Sequence, residues 1–146
     1  MKQLASVTVP SAARRAITHS VPGQLDMRIS LSPAAVHTVR RVVADHLRLW
    51  DAGLDDLPER TLRAVTALLT AALPPGPDAR QDVHLLVQRV PGGLCVNVRH
   101  CPATAPATAR LMAALGAIAD DSGVSAESSG VDTWATILHR APGEDQ

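Results

Sequence analysis

The sequence predicts an α+β fold: a two-layer sandwich whose mixed, mostly antiparallel sheet is covered on one face by about three helices. Three features lead there. Short runs at 25–30, 83–88 and 94–99 alternate apolar and polar residues, the period of a half-buried strand. Two longer segments, opening near Ser32 and Asp56, carry apolar residues at three- and four-residue steps, the period of a helix with one buried face. These helices fall between strands, two of which a Gly-rich turn folds back on each other, and that grouping makes two layers.

Residues 1–23 read as an N-terminal arm, partly flexible, that carries Lys2, Arg14 and Arg15 and no acid. Ser6-Val7-Thr8-Val9 is its candidate strand, and the arm is either a mobile lead-in or, in the sharper reading, an added strand or a docking arm. A single domain over 24–141 and a polar tail over 142–146 complete the organisation. Within the domain, Leu25–Ser30 is the first strand. Ser32 caps the first helix, with Pro33 in its opening turn. Val36, Val39, Val43, Leu47 and Trp50 form its buried stripe, and the helix ends near Asp51-Ala52-Gly53. Asp56 and Glu59 have capping-box spacing around Pro58 and, with Asp55, complement the dipole of the second helix. Its stripe is Leu62, Val65, Leu69, Ala72 and Leu73, and Pro74, Pro75 and Pro77 stop it. A hairpin turns at Pro91-Gly92-Gly93. A Pro-punctuated loop at 101–107 leads to a third helix over Thr108–Asp120, presenting Leu111, Met112, Leu115 and Ile118. A short strand at Val124–Ala126, a turn at Ser128-Ser129-Gly130 and a strand over Thr133–Leu138 close the domain.

Composition narrows the function classes. The chain has 146 residues, 46% of them apolar, with no Phe, no Tyr and two Trp, so its core is aliphatic. Fourteen basic and fourteen acidic residues cancel, leaving no global field to draw nucleic acid or anionic membrane. The aromatic platforms of single-strand binders are missing too. No apolar run approaches the ~18 residues of a membrane span, and residues 1–20 hold no continuous apolar stretch of the signal-peptide kind. Cys95 and Cys101 are too few to staple a domain of this size and read as reduced thiols of a cytoplasmic protein.

The segment Val65-Thr66-Ala67-Leu68-Leu69-Thr70-Ala71-Ala72-Leu73 resembles the N-box helix of the GHKL ATPases, in the form found in bacterial anti-sigma-factor serine kinases. That helix normally reads Ser-Glu-Leu-Val-Thr-Asn-Ala-Val. Leu94–His100 is similar to the strand that leads to the family's first glycine box, Leu111–Gly116 to the helix that usually begins Gly-Arg-Gly-Leu, and Thr133–Ile137 to the closing Thr-x-Trp strand. The resemblance covers roughly residues 24–140 and implies the histidine-kinase-like ATPase fold.

It also implies that the family's chemistry has been lost. The family's Glu works as a base and its Asn holds Mg²⁺, a hard cation that takes oxygen ligands. Ala67 and Ala71 stand at those positions. His100 takes the place of the Asp that accepts from the adenine amino group. The phosphate loop has no glycine and begins at Pro102, and proline removes N–H donors that a phosphate needs. Ala67, Ala71, His100, Pro102 and Thr133 therefore outline a degenerate nucleotide pocket. The implied protein is a non-catalytic regulator that needs no cofactor. It would act on a sigma factor or other transcription regulator, or as a homodimer, without touching nucleic acid or membrane. Two alternatives stay open. One is a divergent ATP-binding kinase using Mg·ATP with Asp120, Asp121 or Glu127 as replacement carboxylate. The other is a small-molecule sensor in the remodelled pocket.

The remaining candidates have plain readings. The six histidines show no zinc-ligand spacing, and His100-Cys101 with Cys95 reads as a loop imidazole beside thiols rather than a metal or nucleophile site. His37, Arg40, Arg41 and Arg48 make a basic stripe on the first helix, a solvated face or, by the resemblance, a partner surface. Ser32, Thr70 and Ser128-Ser129 read as a cap, a core-facing hydroxyl and a turn.

Overall fold

Alternation along the strands decides how the sheet is built. The computed structural model describes residues 5–8, 17–21, 23–50, 56–74, 76–100, 108–127 and 130–139. Its strands are β1 (Ala5–Thr8), β2 (Ile17–Val21), β3 (Gln24–Leu31), β4 (Gln81–Val90), β5 (Gly93–His100), β6 (Asp121–Glu127) and β7 (Gly130–Leu138). They form one sheet in the order β1-β2-β3-β4-β5-β7-β6. Every neighbouring pair is antiparallel, so the parallel pairing implied by a mixed sheet is absent among the described strands.

The register stacks the apolar side chains into rows on one face. Leu25, Val87, Val96 and Ala135 are successive cross-strand partners, as are Met27, Leu85, Val98 and Thr133. Ile29, Val83, His100 and Val131 make the third row. All twelve are buried. Each Val, Leu, Ile or Met among them contributes about 1.5–3 kcal/mol by leaving water, and a register slip of one residue would expose its strand's whole set.

Helices α1 (Pro33–Leu49), α2 (Leu57–Ala72) and α3 (Thr108–Gly116) cover that face. The result is the two-layer α+β sandwich. α1 lies over β3 and against α2, α2 lies over β5 and β7, and α3 sits against α2 and β6. Ser32 starts α1: its backbone is extended and its Oγ accepts from the Ala35 N–H at 3.2 Å. The expected stripe of α1 is buried from Val36 to Trp50. At its C-terminal end the Arg89 guanidinium donates to the Trp50 carbonyl at 3.1 Å, a cation placed where the helix dipole favours one.

Several boundaries differ from the sequence pattern. The arm over 1–23 supplies two strands rather than one, and β2, with Thr18 opposite Met27, joins β1 to the main sheet. Asp56 stands at the N-cap of α2, but its side chain makes no capping bond. In α2, Val65, Leu69 and Ala72 are buried as expected, whereas Leu62 and Leu73 are only partly so. Thr70 is exposed, and the buried hydroxyl belongs to Thr61, which donates back to the Leu57 carbonyl at 2.7 Å. α3 ends at Gly116, four residues early, while β6 is longer than Val124–Ala126. Cys101, the loop at 101–107, Asp55, Ser128-Ser129 and the tail at 142–146 lie outside the described residues. None of the described helices is long and apolar enough to cross a membrane.

The other face of the sheet carries mostly polar residues, together with Leu86, Val90 and one indole. Trp134 lies across Gly123 of the neighbouring strand, where an added Cβ would stand 2.2 Å from the ring. Glycine is required there by close approach rather than by backbone conformation. Gly123→Ala is expected to lift the indole off β6, read as a red shift of tryptophan emission at a stability cost of about 1–2 kcal/mol. An unchanged spectrum would contradict that placement.

Candidate functional site

Residues 60, 64, 67 and 71 recur at helical steps, so Arg60, Ala64, Ala67 and Ala71 share one flank of α2. Arg60 shows where that flank points. Although its residue type favours water, it is only 5% exposed. Its Nε and Nη2 donate to the Ile118 carbonyl at 3.2 and 2.9 Å, and Nη1 donates to the Leu138 carbonyl at 2.9 Å. Nη2 also meets Asp120 Oδ2 at 3.1 Å. The Asp56 carboxylate, free of capping, lies 3.8 Å from Nη1. The flank therefore faces the turn between α3 and β6 and the end of β7.

Ala67 and Ala71 sit on this flank, partly buried against the core. Their methyl groups offer neither a base nor a metal ligand. His100 and Thr133 lie on the helix-covered face of the sheet, at diagonal positions on β5 and β7. His100 is 5% exposed, and the Thr133 hydroxyl donates to the Val98 carbonyl at 3.3 Å. Ala67 and Ala71 thus lie on the partly buried flank of α2, and His100 and Thr133 on the sheet face that the helices cover. Pro102 lies outside the described residues.

The replacement carboxylates fare differently. Asp120 Oδ2 already accepts from Arg60 and from the Leu138 N–H, the latter at 2.7 Å. Asp121 is exposed and pairs in register with Thr136, on the face that the helices leave uncovered. The Glu127 side chain lies outside the described residues. No group of three or more His, Cys, Asp or Glu that could hold a metal ion occurs among the described residues.

On the uncovered face, His84 Nε2 and Asp26 Oδ1 share a hydrogen bond at 2.6 Å, and Arg99 pairs with the directly opposite Asp132 at 2.6 Å. Cys95 is a free thiol on the same face, opposite Thr136. On α1, His37, Arg40, Arg41 and Arg48 are all exposed, on the side away from the buried stripe. Arg48 pairs with Asp45 at 2.8 Å, a surface contact worth little. Arg40 and Arg41 make no ion pair with any described residue.

Sequence reasoning missed Arg60. One signal could have found it: the arginine lies four residues before Ala64, in line with the apolar stripe, where a solvated charge has no place. Compared with known proteins, the chain matches no family model and no curated protein.

Proposed function

We propose that this chain is a non-catalytic regulatory protein, built on a degenerate GHKL or histidine-kinase-like ATPase fold of the anti-sigma-factor kinase branch. It acts by binding a protein partner, a sigma factor or another transcription regulator, alone or as a homodimer. The observation that carries the reading is the α2 flank: methyl groups at 67 and 71 where phosphate transfer needs oxygen atoms, beside a buried arginine that already holds Asp120. The element order supports it: strand, two helices, hairpin, helix, hairpin follows the family's order from β3 onward. A structural role for Asp120 also weakens the reading as a divergent kinase.

Calorimetric titration with Mg·ATP is the test. No binding heat is expected up to millimolar nucleotide, and a micromolar Kd would overturn the reading.

The exposed stripe of α1 is the proposed partner surface. Reversing Arg40 and Arg41 to Glu should leave stability within about 0.5 kcal/mol, because both side chains are exposed and neither makes an ion pair with a described residue. The same double variant should lose its partner in co-purification from its own cells. Full retention would place the contact elsewhere.

A further inference from the structure

We draw no further inference here: the strongest candidate, the uncovered sheet face around Leu86 and Trp134 between the Asp26–His84 and Arg99–Asp132 pairs, is an unpartnered surface for which nothing in the structure shows what covers it.

Discussion

Replacing Arg60 with Met is expected to lower the unfolding free energy by about 2–4 kcal/mol, a fall in Tm of roughly 5–15 °C for a domain of this size. Methionine keeps most of the apolar stem but none of the donors. The Ile118 and Leu138 carbonyls lose a charged partner, and Asp120 keeps its charge with the Leu138 N–H as its remaining contact. Asp120 is about a third exposed, so solvent screens part of its loss. The two carbonyls account for most of the effect. Arg60→Lys should recover only part of it, since one ammonium cannot span three acceptors that the planar fork reaches together. Urea unfolding of the three proteins measures this. A loss below about 0.5 kcal/mol for the Met variant would mean that the guanidinium is not the clamp its geometry describes.

Gly93→Ala is expected to cost about 2–3 kcal/mol, for a different reason. A Cβ at residue 93 would stand 2.1 Å from the Ile137 carbonyl oxygen and 2.8 Å from the Leu138 Cα. Both are backbone atoms of the neighbouring strand, so no rotamer change relieves the contact, and β5 and β7 must move apart at that end. At Gly123 the obstacle is the Trp134 ring, which can swing aside. Gly116→Ala supplies the control, since an added Cβ there meets nothing within 4 Å and should be neutral or slightly stabilising. Equal thermal stability of the Gly93 and Gly116 variants would show that the strands do not approach as closely as the structure places them.

These two residues mark where the sequence stops being legible. The core stripe of α1 and the inner faces of β3, β4 and β5 could be read directly, because burial imposes a period and every second or fourth residue obeys it. The Ser32 cap was legible for the same local reason. The Asp56 cap misled: the capping-box pattern pairs residues 56 and 59, three apart, whereas the Asp56 carboxylate makes no capping bond and lies 3.8 Å from Arg60, four residues on. Thr61 and Thr70 could not be told apart by type, since only the position of the neighbouring strands decides which hydroxyl is covered.

The candidate site divides the same way. That residues 67 and 71 carry no oxygen is a property of the sequence, and no arrangement of the chain can change it. That the flank they share with Arg60 faces Asp120 and the end of β7 depends on contacts between residues about sixty and eighty positions apart. Nothing in a local pattern records such contacts. Periodicity puts residue 100 on the face of Val96 and Val98 only if the strand continues that far, and it is the pairing of His100 with Val131 on β7 that carries β5 to its end.

The sequence by itself determined the class of the fold, the periodic faces that build its core, and the absence of side-chain oxygens at residues 67 and 71. Each of these depends on residue type and local spacing alone. Only the tertiary structure decided the seven-strand order, the buried role of Arg60, the engagement of Asp120 and the two glycines, 93 and 123, where an added Cβ would meet the neighbouring strand. Those outcomes come from close approach between distant segments, where a tenth of a nanometre separates a hydrogen bond from a clash.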